Sequence, residues 1–468
     1  MRRRKVIKLA ASSAVATILL DTTSRHQVTN LSTNQTVRFN AHLAAAADAI
    51  AATIAVDWSK KLAEATTFTF GSNDYEITLV KNATDAVFQR RLSQLNIQLI
   101  RIHHFDLCER WSNQATKTWD EAKIKTCFDA SYPQNPTIIQ NIPHPPSWMK
   151  KNEQGLLDPS EHENYAAFCA KLVEILNLRQ QRQIRYWEPI NEQDVPYQKA
   201  GKLDQLWKLY NQVATAMKAQ DSTIKVGGPV LTWDNPRILV PFLEACKANV
   251  DFISWHRYGS GDANAPTEKI MSYTPKYGQQ VRQFREIARK YVPERNLPLL
   301  LGEYNINYSW KSGENRQNTH VGAVWFASVL KHLAEAGIEM ATSWHLKDGI
   351  YGMIDPENNF RPAANVFAWA NKYLVGEVMS ADSDHTFVEA MAVVQSDETR
   401  SLLLLNKSDR VARLKIQGKP NNFHSPSLAI FSLDADGTKT STLATTILEQ
   451  EPLILKPYSL VLLRFPTS

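Results

Sequence analysis

Between residues 66 and 373 the chain repeatedly changes its hydrophobic period. Short apolar runs of strand type fall at 66–70, 97–102, 136–141, 183–188, 223–228, 251–255, 298–302 and 339–344. After each comes a stretch with apolar residues at helical spacing: 85–95, 119–130, 161–177, 203–219, 237–248, 281–291, 317–335 and 363–372. Parallel strands need a crossover connection, usually a helix, so this alternation predicts parallel βαβ units. Eight units over about 300 residues fit a TIM (β/α)8 barrel, an α/β fold, better than an open doubly wound sheet. The open sheet would want a glycine-rich phosphate turn after an early strand. Gly227-Gly228-Pro229 lacks that spacing, and no helix starts directly after it.

After Lys372 the pattern changes. Runs of β type at 401–405, 411–416, 427–432, 453–455 and 459–465 are separated by turn residues such as Gly418-Lys419-Pro420-Asn421-Asn422 and Asp434-Ala435-Asp436-Gly437. Without helices between them, these predict a C-terminal antiparallel β-sandwich domain. The run 51–57 is strand-like but has no neighbour to pair with locally. It is expected to pair with strands beyond residue 374. The division is therefore a lead-in at 1–50, a strand segment at 51–65 joining the sandwich, a barrel at 66–373 and a sandwich at 374–468.

The formal charge of +6 is concentrated at the N-terminus. Arg2, Arg3, Arg4, Lys5 and Lys8 supply five charges, leaving 6 − 5 = +1 for the remainder. No basic face for nucleic acid is implied. The uncharged run 9–20 follows the basic tip, as in a targeting segment, and is too short for a stable membrane span. An extracytoplasmic location is expected: secreted, periplasmic or tethered through this segment. Residues 21–50 are polar and then alanine-rich, and are expected to be poorly ordered. The four cysteines, Cys108, Cys127, Cys169 and Cys246, show no metal-ligand spacing. Pairing of Cys108 with Cys127 and burial as free thiols both stay open. Neither a metal nor a cofactor is expected, and the oligomeric state is not readable.

Active sites of TIM barrels lie at the C-terminal ends of the strands. Collected there are Arg101, His103, His104, His144, Trp148, Asn191, Glu192, His256, Tyr258, Glu303, Tyr304, Trp344 and His345. Acids, amides, imidazoles and aromatic rings at one rim suit a carbohydrate, which offers hydroxyls and flat apolar faces. Glu192 ends the fourth strand and Glu303 the seventh. Two carboxyl groups converging from opposite strands can divide acid and nucleophile work on a glycosidic bond. Arg101, His103 and Trp148 are candidate substrate contacts. His103 is preferred over His104 because adjacent strand residues face opposite sides. Glu188, inside its strand, is expected in a buried salt bridge. Glu314, Asp355 and Glu357 read as loop charges.

The pattern resembles the clan A glycoside hydrolases, and more closely glycoside hydrolase family 39. The resemblance covers about residues 51–468. It rests on Asn191-Glu192, Glu303, Arg101-Ile102-His103, the segment from Asp251 to Tyr258 and the closing segment from Pro457 to Phe465. It implies a retaining glycosidase acting on a poly- or oligosaccharide, with Glu192 as acid/base and Glu303 as nucleophile. It further implies that Asn191 binds the sugar 2-hydroxyl, His256 and Tyr258 line the subsite at the reacting ring, and Trp344 forms its apolar floor. The chain departs from the family in having Ile190 before Asn191-Glu192 and Gln193 after it. Burial and the facing charge of Glu303 are expected to raise the Glu192 pKa. Competing readings are a carbohydrate-binding barrel without turnover and metal-dependent hydrolysis.

Overall fold

The computed structural model describes residues 48–75, 85–131, 135–309, 314–418, 427–445 and 451–465. The basic tip, the apolar run 9–20 and the turn after Gly418 lie outside these residues. Everything from Ala46 onward belongs to one compact unit.

The first described element is β1 (Ile50–Ala65), and a closed barrel of eight strands follows: β2 (Gly71–Asp74), β3 (Leu99–Ile102), β4 (Thr137–Asn141), β5 (Tyr186–Glu188), β6 (Lys225–Leu231), β7 (Phe252–Ser260), β8 (Leu299–Asn307) and β9 (Met340–Ser343). Every neighbouring pair is parallel, and β9 closes onto β2. The first barrel strand is shifted from the sequence expectation of 66–70. Thr66 accepts a hydrogen bond from the Phe68 amide, and the Thr69 side chain answers from the Thr66 amide. This capping box turns Thr67–Phe70 into a 3-10 turn, so the strand begins at Gly71. Only glycine fits at Gly71: a Cβ there would lie 2.7 Å from Leu99 O and 2.8 Å from Ala341 O, on the two flanking strands.

The outer helices follow from cap and stripe. Asn235 caps the helix Pro236–Cys246 by accepting from the Arg237 amide. Leu203–Gln220 buries Leu206, Leu209, Tyr210, Val213 and Met217, which recur at helical spacing on one face. The helix His320–Glu335 has no such exposed face. It is buried almost all round, Lys331 included. The cause is its position, with barrel strands on one side and the second domain on the other.

That second domain is one nine-stranded sheet formed by β1 and β10 (Gly376–Ser383), β11 (Val388–Val394), β12 (Arg400–Asn406), β13 (Ala412–Gln417), β14 (Ser427–Asp434), β15 (Gly437–Ala444), β16 (Leu453–Leu455) and β17 (Ser459–Phe465). The order is β15-β14-β17-β12-β11-β10-β1-β13-β16. Strand β1 pairs antiparallel with β10 and parallel with β13, so the first described strand sits inside the C-terminal domain. The sheet folds over on itself as a sandwich. Ile54 of β1, Leu404 of β12 and Leu463 of β17 share one core, and the Trp58 and Phe465 rings meet edge-on at 6.2 Å. All four cysteines are buried free thiols, so Cys108 and Cys127 do not pair. Among the described residues, no helix is long and apolar enough to cross a membrane.

Candidate active site

Two irregularities in the barrel strands aim the two glutamates. The ladder between β7 and β8 slips between Leu301 and Glu303, with Gly302 as the extra residue. Asn73 Nδ2 (2.7 Å) and Thr342 Oγ1 (2.6 Å) hold the Gly302 carbonyl, fixing the bulge. A bulge re-aims the side chain that follows it, here Glu303. The second slip lies between Pro229 and Leu231, at Val230. Val230 has φ +55° and Glu192 has φ +53°, a left-handed conformation that costs a branched or long side chain about 1–3 kcal/mol. The two residues support each other: the Glu192 amide donates to Val230 O at 3.0 Å.

Beneath the glutamates lies a buried ionic cluster. Arg101, on β3, has no exposed surface. Its Nε donates to Glu188 Oε2 at 2.7 Å, its Nη1 to Glu303 Oε1 and Asn73 Oδ1 at 3.0 Å each, and its Nη2 to Asn191 Oδ1 at 2.7 Å. Asn141 Nδ2 adds a bond to Glu188 Oε2 at 3.2 Å, and His103 Nδ1 meets Asn141 Oδ1 at 2.8 Å. Burial opposes the Arg101 charge, but Glu188 and Glu303 outweigh it and raise its pKa. Glu188 is the buried salt-bridge partner that its place within the strand implies.

His256 stands between the two glutamates. Its Nδ1 is 2.7 Å from Glu192 Oε1 and its Nε2 is 3.6 Å from Glu303 Oε1. Burial lowers its pKa to about 4, so the imidazole is neutral near pH 7. Tyr258 donates its hydroxyl to Glu303 Oε2 at 2.8 Å, and burial and the Glu303 charge keep that phenol protonated. Burial also raises Glu192, to about 7, with the Arg101 charge pulling the other way. The rise therefore comes from lost hydration rather than from the charge of Glu303. The Glu192 side chain is still 35% exposed at the cavity floor, whereas that of Glu303 is 7% exposed.

A cavity of about 680 Å³ opens above this cluster. Of the residues anticipated from sequence, His103, Asn191, Glu192, Tyr258, Glu303 and Trp344 line it, and His144 joins them. Arg101 and His256, expected to touch the sugar, are instead fully buried and do not line the cavity. Trp148 is elsewhere. It packs edge-on to Phe168 at 5.7 Å, beside the stacked Trp119–Phe168 pair, and lines a separate cavity. Glu314, read as a loop charge, is buried: its carboxylate takes Arg316 and the Asn307 amide at 2.9 Å. Sequence reasoning missed Asn73 because the first strand was placed one element early. It missed Asn141 because an amide inside a strand looks like any other polar residue. It also missed Trp233 and Tyr308, which lie in loops beyond the strand ends.

Residues 179–373, covering β5 to β9, match the family model described as Glycosyl hydrolases family 39. The match takes in five of the eight barrel strands. The resemblance read from the residues holds where it is tested, and the matched stretch includes Asn191, Glu192, His256, Tyr258, Glu303 and Trp344. A β-xylosidase of Geobacillus stearothermophilus is 28% identical over 193 residues, 38% of this chain and 34% of that protein. The chain thus spans about a third of the length of this curated relative. The fold is that of a monomeric β-xylosidase from Caulobacter crescentus CB15, with TM-score 0.66 and 16% identity over 89% of this chain and 99% of that one. A family 39 enzyme from Xanthomonas axonopodis pv. citri superposes with TM-score 0.63 and 18% identity over 89% and 97%.

Proposed function

We propose that the protein is a retaining glycoside hydrolase in which Glu303 is the nucleophile and Glu192 the acid/base. The observation that carries this is the spacing of the carboxyl groups. One oxygen each of Glu192 and Glu303, with a His256 nitrogen, lie within 4.8 Å of one another. Retaining enzymes hold their carboxyl groups about 5–5.5 Å apart, and inverting ones leave about 6.5–9.5 Å for a water.

In the first step Glu303 forms an ester bond to the anomeric carbon. The glycosidic C–O bond breaks, and Glu192 gives its proton to the departing oxygen. In the second, Glu192 takes a proton from water, the water oxygen bonds to the anomeric carbon, and the ester breaks to return Glu303 as a carboxylate. The pKa near 7 suits Glu192 to both tasks. Arg101 and Tyr258, each on one Glu303 oxygen, orient the nucleophile. The β-xylosidase relatives make β-xylosides the first substrates to try. Proton NMR of the first product released from an aryl β-xyloside, or from whichever aryl glycoside is turned over, is expected to show the retained anomer. An inverted product would sink the reading.

Metal-assisted hydrolysis is the competing reading, since the same three side chains offer ligand atoms. Against it, the fixed Arg101 guanidinium already sits 3.0 Å from Glu303 Oε1 and disfavours a second cation there. We also propose that the enzyme works outside the cytoplasm, supported by the basic tip and the apolar run 9–20. Fractionation finding it only in the cytosol would count against this.

A further inference from the structure

The rim of the cleft has an uneven surface chemistry. Among the described residues the exposed large apolar side chains are Leu62, Val87, Leu178, Phe105, Trp233 and Tyr308. The three aliphatic ones are scattered, as single surface residues usually are. The three aromatic ones all line the catalytic cavity. Trp233 is 47% exposed and Tyr308 61%.

Trp233 is held by its neighbours on both sides. Before it, Thr232 gives its amide (3.0 Å) and its hydroxyl (2.8 Å) to Asp194 Oδ1 of the buried Asp194. After it, Asp234 is ion-paired with Arg257, and the Asn235 amide donates back to Trp233 O at 2.8 Å. Two anchored residues thus hold a rigid turn that presents an indole to solvent instead of burying it. An indole fixed at a cavity wall suits a flat apolar face such as that of a sugar ring, with little ordering cost on binding.

Its side of the cleft is set by the chain. Trp233 lies three residues beyond Val230, whose carbonyl takes the Glu192 amide, so it flanks the proton-donating glutamate. Tyr308 flanks the other one: its ring meets Tyr258 edge-on at 6.1 Å, and Tyr258 holds Glu303. The carboxyl group that protonates the leaving oxygen must stand beside the leaving group. Building on the hydrolase reading above, we infer that Trp233 is the stacking platform for a leaving group that is itself a sugar, and that the cleft takes a saccharide chain across both glutamates. The substrate class is then an oligo- or polysaccharide cut at a bond between sugars, rather than a glycoside of a small alcohol.

The test compares Trp233→Ala, Trp233→Phe and the parent on two substrates of one sugar, for example 4-nitrophenyl β-xyloside and xylotetraose. The alanine variant is expected to lose at least tenfold more kcat/KM on the oligosaccharide than on the aryl glycoside. It should also pass less of the glycosyl-enzyme to added sugar acceptors, and the phenylalanine variant should recover most of both. Equal losses on the two substrates, or no loss on either, would overturn the assignment. If the parent protein hydrolyses no glycoside, the hydrolase reading fails. Calorimetric binding of xylotetraose to parent and Trp233→Ala then still decides the platform: a loss of binding supports it and unchanged binding rejects it.

Discussion

Two of the buried ionic clusters among the described residues are built in opposite senses. Under the cleft, one cation serves several acids: Arg101 bonds Glu188 and Glu303, while Glu192 is left with a neutral histidine. Between barrel and sandwich, one acid serves several donors. Glu389 Oε1 takes Lys407 and His332, and its Oε2 takes Ser328 at 2.5 Å. Lys407 is further satisfied by Thr274 Oγ1 at 3.0 Å and Met271 O at 3.2 Å. Burial opposes the Glu389 charge, yet Lys407 and His332 hold its pKa far below the usual carboxylate range. The second cluster closes on itself and joins two domains. The first keeps one acid short of partners and opens it to a cavity, which is what proton transfer needs.

The sharpest way to break this contrast is Glu303→Ala. If the cleft cluster exists for catalysis, activity should fall by about 10⁴-fold or more on every substrate. Azide is expected to restore some turnover with an inverted glycosyl azide, read by NMR. Near-normal activity in this variant would end the assignment.

A smaller loss, about 10²–10⁴-fold, is expected for Glu192→Ala on sugar leaving groups. Aryl glycosides with a good leaving group need no proton in the first step and should lose less in it. The pH profile gives a second readout. Glu192 must be protonated to act as acid, and its pKa is raised from the ordinary 4.5 to about 7. The parent should therefore lose activity as pH rises through about 7, and Glu192→Gln should lack that alkaline limb. The raised value also means that ionised Glu192 destabilises the fold. Glu192→Gln should melt higher than the parent above pH 7, a gain absent below about pH 4.

The interdomain cluster should respond in stability rather than rate. Lys407→Met strands a buried carboxylate and should cost about 3–5 kcal/mol in denaturant unfolding. Its kcat on an aryl glycoside, measured while folded, should match the parent. Because the Glu389 pKa is depressed, its contribution is present above the unfolded carboxylate pKa and fades as pH falls. Acid unfolding of Glu389→Gln should accordingly be shallower than that of the parent. If Lys407→Met instead slows catalysis without loss of stability, the two clusters are not independent. The smallest effect is expected from EDTA dialysis, which should leave glycoside turnover unchanged. A loss restored by one divalent cation would favour the metal reading of Glu192, His256 and Glu303.

Sequence by itself determined the architecture and singled out the two candidate acids. The period of apolar residues switches between strand and helix eight times, and parallel strands joined by helices have few ways to close. Once the strands are counted, Glu192 and Glu303 fall at strand ends. The same reasoning made Glu188 a buried partner and sent the lone strand β1 into the C-terminal sheet, where β10 pairs with it. Tertiary structure decided what the residues at the strand ends touch. A one-residue bulge at Gly302 and the left-handed turn at Val230 aim the glutamates, and neither leaves a mark in the hydrophobic pattern. Arg101 and His256 share a strand face with His103 and Tyr258, yet two residues earlier along the strand they lie deeper in the barrel and are buried, while His103 and Tyr258 line the cavity. Trp148 and Trp233 are both loop tryptophans in the sequence. One packs against Phe168 and the other stands over the cleft, because the ring's surroundings come from segments far away in the chain. Local periodicity fixes which face a residue takes, and only the packed barrel fixes what that face meets.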